Sequence, residues 1–86
     1  MDFIYPNENA VLYLPINIDR KKENVVFRLA HHNQASIVYW HLDGFFAGQT
    51  QSIHQIALSP SRGKHILTVV DEDGNMLTRK FEVLSK

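Results

Sequence analysis

Apolar and polar residues alternate with a period of two over much of the chain. Val38, Trp40 and Leu42, for example, alternate with Tyr39 and His41. This spacing is typical of a β-strand with one buried face. No stretch keeps the i, i+3, i+4, i+7 spacing of an amphipathic helix over the ten or so residues that such a helix needs. The pattern therefore predicts an all-β chain.

Turn signals separate the predicted strands. The strongest are the two Asp-Gly pairs at 43–44 and 73–74, because glycine readily adopts the positive φ that tight hairpin turns need. Residues 3–5 and 10–14, interrupted by Pro6, are predicted to form one split edge strand. Residues 64–71 are the most apolar run and are predicted to form a central strand.

These elements predict an immunoglobulin-like antiparallel β-sandwich of about seven strands, formed by residues 1–86 as a single domain. The chain has no cysteine, so the paired cysteines of antibody domains are missing and apolar burial must hold the two sheets together. The predicted core consists of Phe27, Leu29, Val38, Trp40, Leu67, Val69, Phe81 and Val83.

Charge and hydropathy exclude several kinds of partner. Nine basic residues balance nine acidic residues, which argues against a nucleic-acid partner. No apolar run reaches the roughly 18 to 20 residues that span a bilayer, so no membrane contact by this segment is expected. Residues 17–24, which include Arg20-Lys21-Lys22, are predicted to be a solvated connection.

One sequence fits a catalytic motif literally. Ser61 and Lys64 have the spacing of the S-x-x-K motif, in which the serine is a nucleophile at the start of a helix. Here the motif lies in a turn that enters a strand, and no partner motif occurs elsewhere in the chain. We therefore expect no catalytic residues, and the chain is not predicted to be an enzyme.

An acidic run resembles a calcium loop. Asp71, Asp73, Asn75 and Glu82 occupy ligand positions of such a loop, but Met76 stands where the sharp turn requires glycine. A hairpin turn is the preferred interpretation of this run.

The five histidines raise the question of a metal site. They show no H-x-x-x-H spacing on a helix, so we expect no metal site and no cofactor. They are interpreted as polar or half-buried positions, with His32, His41 and His54 exposed. The set is His31, His32, His41, His54 and His65.

An aromatic group around the first hairpin is the candidate interaction surface. It consists of Tyr39, His41, Phe45 and Phe46. Aromatic rings at a sheet surface stack on sugar rings, which gives a glycan-binding hypothesis. The alternative is that these rings form a satellite of the core.

Several motifs carry a resemblance to a known family. They are Ile4-Tyr5-Pro6-Asn7, Val11-Leu12-Tyr13-Leu14-Pro15, Val38-Tyr39-Trp40-His41-Leu42-Asp43-Gly44 and Gly63-Lys64-His65-Ile66-Leu67-Thr68-Val69-Val70-Asp71-Glu72-Asp73-Gly74. With these motifs in this order, the chain resembles the C-terminal domain of bacterial penicillin-binding protein 1C over nearly its whole length. One departure is Asn9, where that family often has glycine in the turn after Tyr-Pro.

The resemblance implies a non-catalytic accessory domain in the periplasm, on an inner-membrane-anchored enzyme that synthesises peptidoglycan. The enzyme's glycosyltransferase and transpeptidase domains would lie upstream. The implied partner is the neighbouring transpeptidase domain or a cell-wall partner protein. Two alternatives remain: a module that binds peptidoglycan glycan, and an unrelated immunoglobulin-like surface or adhesion domain.

Overall fold

The computed structural model of the chain describes residues 1–14 and 24–85. Most of the predicted connection over residues 17–24 therefore lies outside the described residues. The described part is built of β-strands: β1 Asp2–Tyr5, β2 Ala10–Leu14, β3 Val25–Ala30, β4 Ile37–Leu42, β5 Phe45–Gln51, β6 His54–Leu58, β7 Gly63–Asp71 and β8 Met76–Ser85.

The strands form two sheets that pack face to face. The smaller sheet has the order β1-β3-β6, and the larger has the order β2-β8-β7-β4-β5. The prediction of an all-β, immunoglobulin-like sandwich is confirmed. The apolar run at 64–71 is also central, because β7 is the third of five strands.

The predicted strand count and direction need two corrections. The described residues form eight strands rather than about seven, because the predicted split edge strand is two strands in different sheets: β1 pairs with β3, whereas β2 pairs with β8. The β2–β8 pairing is parallel, so the sandwich is not wholly antiparallel. The turn that begins at Pro6 carries the chain across to the larger sheet, where β2 runs in the same direction as the last strand.

The core lies between the two sheets. All eight residues of the predicted core lie in this interior, and Phe27, Val38, Trp40, Leu67 and Val69 are fully buried. Three residues outside the predicted set, Phe3, Leu12 and Val25, are buried with them.

Trp40 occupies the centre of this core, and its one polar group has a hydrogen-bond partner. The indole Nε1–H donates to Thr50 Oγ1 on β5 at 2.8 Å, as a buried indole requires. Gly48 lies opposite Trp40 in the β4–β5 register. A Cβ atom at Gly48 would lie 2.9 Å from Ile56 Cδ1, closer than carbon atoms pack. A larger residue at Gly48 would require the Ile56 side chain to move, and the φ of 155° at this position is one that glycine adopts most readily.

The two Asp-Gly turns connect neighbouring antiparallel strands, as the sequence predicts. Asp43 and Gly44 have φ of 53° and 84°, the left-handed values of a tight hairpin turn between β4 and β5. The second turn spans residues 72–75, and only Gly74 among them has a positive φ. Asn9 has φ of 58°, so this position uses the conformation that glycine adopts most readily and asparagine tolerates better than most residues.

Candidate functional site

The outer face of the larger sheet carries a group of exposed and half-buried apolar side chains. Tyr39 on β4 pairs with Val70 on β7, and Val70 pairs with Met76 on β8. Phe46 on β5 is the cross-strand partner of His41, which lies two residues along β4 from Tyr39. Met76 and Phe46 are 65% and 61% exposed. We call Tyr39, Phe46, Val70 and Met76 the outer apolar patch.

The structure brings together three of the four residues of the predicted interaction surface. Tyr39, His41 and Phe46 share the outer face, and the rings of His41 and Phe46 meet edge to face with their centroids 5.7 Å apart. Phe45 is 78% exposed, but it pairs with the inward-facing Leu42. Since neighbouring side chains of a strand point to opposite sides, Phe45 does not join the patch.

A groove of about 510 Å³ lies over the first residues of β7 and the facing part of β8, towards the other end of these strands from Val70 and Met76. Its lining includes Lys64, Ile66, Lys80 and Glu82, together with Asp43 from the first hairpin turn. The charges are of both signs, so the groove has no strong preference for an anion or a cation. An apolar centre with a polar rim is the usual composition of a protein interface.

Two histidine–carboxylate pairs lie at opposite ends of β7. At its C-terminal end, His31 Nε2 donates to Asp71 Oδ2 at 3.0 Å, and both side chains are 1% exposed. Asp71 also accepts from the backbone N–H groups of Asp73 and Asn75 and from the Asn75 side chain. The hydrogen bonds from His31 and from the Asn75 side chain hold the pKa of Asp71 well below its usual range, although burial raises it.

The Asp71 network gives a pH-dependent prediction. A carboxyl group with a lowered pKa in the folded state stabilises the fold above its unfolded pKa of about 3.9, and this contribution is lost as the pH falls below that value. We expect Asp71→Asn to lower the urea midpoint at pH 7 and to flatten its fall between pH 5 and pH 2. The neighbouring exposed carboxylate offers a control, Asp73→Asn, which should keep the wild-type curve. Parallel acid curves for the wild type and Asp71→Asn would contradict the prediction.

At the N-terminal end of β7, His65 connects two loops. Its Nδ1 lies 2.6 Å from Asp43 Oδ2, and its Nε2 lies 2.6 Å from the backbone oxygen of Ser61. Both neighbours are acceptors, so each ring nitrogen that carries a proton can donate to one of them. Burial raises the pKa of Asp43, but hydrogen bonds from His65 and from the Ile66 backbone N–H lower it below its usual value.

His54 is buried, and the prediction that it is exposed is wrong. It is 6% exposed at the start of β6, where Ile56 and Leu58 also face the core. The alternation of His54 with these two apolar residues was the sequence signal for burial. His32 is exposed and His41 is half-buried.

Two residues of the rejected motifs, Asp71 and Ser61, have hydrogen-bond partners within the protein. All four hydrogen bonds to the Asp71 carboxylate come from groups of the protein. The backbone of Ser61 accepts from His65. Within residues 1–14 and 24–85, no group of three or more His, Asp or Glu side chains has an arrangement that could hold a metal ion. No helix of these residues is long and apolar enough to cross a membrane.

A solved structure shares the class of fold that this geometry defines. The chain is similar to a structure from work on the fibronectin(III)-like modules of CbhA from Clostridium thermocellum, with a TM-score of 0.71 and 19% sequence identity. The match covers 98% of this chain and 95% of the other. Identity this low shows a shared β-sandwich fold and nothing about function.

The sequence itself shows the family. The model of the penicillin-binding protein C-terminus family matches residues 1–81, and the chain belongs to that family. A search of curated proteins gave no match. The family match sets aside the alternative of an unrelated surface or adhesion domain.

Proposed function

We propose that the chain is a non-catalytic accessory domain of a periplasmic, inner-membrane-anchored penicillin-binding protein, and that its outer apolar patch packs against the neighbouring transpeptidase domain. Membership of the penicillin-binding protein C-terminus family supports an accessory role beside another domain. The role in peptidoglycan synthesis belongs to the whole enzyme under this proposal.

The outer apolar patch is the observation that carries the proposal. Phe46 and Met76 expose most of their side chains on a sheet face that also presents Tyr39 and Val70. Exposed apolar groups with a polar rim mark contact surfaces on small domains. Methionine adapts its shape to a partner, which suits a protein surface.

The alternative of a peptidoglycan-binding module rests on the exposed aromatic rings. Phe46 and Tyr39 share a face, but Phe45 points to the other side of β5, so the three rings do not form one platform for a sugar chain. His41 also meets the Phe46 ring at 71°, which is not a flat stacking surface. The patch therefore favours a protein partner over a glycan.

A binding experiment between two purified proteins tests this proposal. The 86-residue chain, labelled with ¹⁵N, is titrated with the transpeptidase domain of its parent protein, and amide shifts are mapped. We expect shifts to concentrate on β4, β5, β7 and β8. The double variant Phe46→Ser/Met76→Ser should weaken binding by about tenfold or more, or about 1.4 kcal/mol, because both apolar contacts are lost.

The chain offers a matched control for this double variant. Ile4 is an apolar residue 58% exposed on the smaller sheet, and Ile4→Ser should leave binding unchanged. Shifts confined to β1, β3 and β6 would contradict the proposed surface. Shifts of the patch with soluble glycan strands, and none with the transpeptidase domain, would support the glycan alternative instead.

A further inference from the structure

His54 sits at a corner where the chain passes between the two sheets. It follows the exposed residues Ser52 and Ile53 and begins β6, one of the two edge strands of the smaller sheet. Its Nδ1 lies 2.8 Å from Thr50 Oγ1, the same oxygen that accepts from the Trp40 indole. A buried histidine therefore connects the corner to the centre of the core.

The neutral form of His54 suits this arrangement. Thr50 Oγ1 accepts from Trp40, so its own hydrogen is free to donate to His54 Nδ1. The ring proton of neutral His54 is then on Nε2, which is buried and has no hydrogen-bond partner among residues 1–14 and 24–85. A second proton would go on Nδ1 and point at the hydroxyl that now donates to it. Protonation would reverse this bond, leave the Thr50 hydroxyl hydrogen without His54 as its acceptor, and place a charge in the core.

The groups around His54 do not offset such a charge. The His31 ring lies 5.9 Å away, and the exposed His32 stacks on His31 at 4.8 Å. The nearby carboxylate, Asp71, already accepts from His31. The neighbours of His54 on β4 and β5, Trp40 and Thr50, do not titrate.

Charges on the smaller sheet face elsewhere. On β3, Leu29 is the cross-strand partner of His54, and Arg28 pairs with Gln55 on the outer face. The Asp2 carboxylate of β1 lies 3.7 Å from Arg79. Burial, and then the charge of His31, lower the pKa of His54.

We propose that His54 is an acid-sensitive latch, whose protonation releases β6 from the sandwich at mildly acidic pH. The direction of the pH effect follows because the folded state favours neutral His54. Stability is complete above the unfolded histidine pKa of about 6.5 and is lost as the pH falls through and below that value. Among the described residues β6 pairs with β3 alone, and edge strands held by one neighbour are among the elements that open most easily. The latch does not depend on the proposed docking partner.

Trp40 provides the first measurement, because it is the one tryptophan in the chain and shares Thr50 with His54. We expect its fluorescence to change between pH 7.5 and pH 5 in the wild type. This change should disappear in His54→Gln, which keeps a polar group without a proton to gain. It should persist in His32→Gln, a control at an exposed ring of the same cluster.

Hydrogen exchange and histidine NMR on the wild type give a readout that does not depend on a variant folding. The protection factors of β6 amides should fall over this pH range by at most about tenfold per unit, the limit for one proton, while those of β7 change less. His54 should titrate below the ordinary histidine pKa of about 6.5. A fluorescence change that survives His54→Gln, equal loss of protection in β6 and β7, or a His54 pKa at or above about 6.5 would each overturn the proposal.

Discussion

Trp40→Ala is expected to lower the free energy of unfolding by about 3–5 kcal/mol, the range for removing a large aromatic side chain from a core. Trp40 is fully buried in the middle of β4, and its removal leaves Thr50 without the indole donor. Small domains have a total stability of about 5–15 kcal/mol. The variant should therefore be unfolded or barely folded at room temperature, as measured by circular dichroism during thermal and urea unfolding.

The strand itself supplies the control for this variant. Tyr39 is the adjacent residue but faces the outer side of the sheet, so Tyr39→Ala should cost much less. Trp40→Phe should fall between the two, because it keeps most of the apolar volume and loses the bond to Thr50. A melting temperature of Trp40→Ala equal to that of the wild type would contradict the placement of this side chain in the core.

Strand positions could be predicted from the sequence because alternation is a local property. In β3, every second residue is buried, in agreement with its apolar positions. The parallel pairing of β2 with β8 could not be predicted in the same way, because it joins residues about 70 positions apart. Nothing within residues 10–14 records the direction of a distant neighbour.

The candidate site was less predictable than the fold. The position of Tyr39 on the outer face follows from alternation along β4, but Val70 and Met76 join it only through the register of three strands. The opposite direction of Phe45 and Phe46 follows from their adjacency in a strand. The sequence-based prediction grouped Phe45 and Phe46 because both are aromatic, and it therefore missed that their side chains point to opposite sides of the strand.

The structure explains several residues of the motifs that carry the family resemblance. Asp43 of the Leu-Asp-Gly turn meets His65, and Asp71 at the end of β7 meets His31. The Asp43 carboxylate, in the turn after β4, accepts from His65 and Ile66 of β7, and the Asp71 carboxylate, at the end of β7, accepts from His31 and from the turn that follows it. Each aspartate therefore fixes a connection to a strand end. These hydrogen bonds account for the two aspartates and for His65 within the motifs.

Phe27→Ala is expected to lower the free energy of unfolding by about 3–5 kcal/mol, as much as Trp40→Ala. Phe27 is fully buried on β3, the central strand of the smaller sheet. Its ring meets that of Phe81 from the larger sheet, with centroids 5.3 Å apart and planes tilted by 49°. Removing it takes away the aromatic contact that joins the two sheets. Urea unfolding followed by circular dichroism measures the loss.

A double-mutant cycle separates this contact from simple loss of volume. Because the two rings touch, Phe27→Leu and Phe81→Leu together should cost less than the sum of the single changes, by about 0.5–1.5 kcal/mol. Leucine keeps enough volume for each variant to fold. Val26→Ala, at the exposed neighbouring position, is the control that should change stability little. Strict additivity of the two leucine variants would mean that the rings contribute volume alone, and that the sheets are held together without a specific aromatic contact.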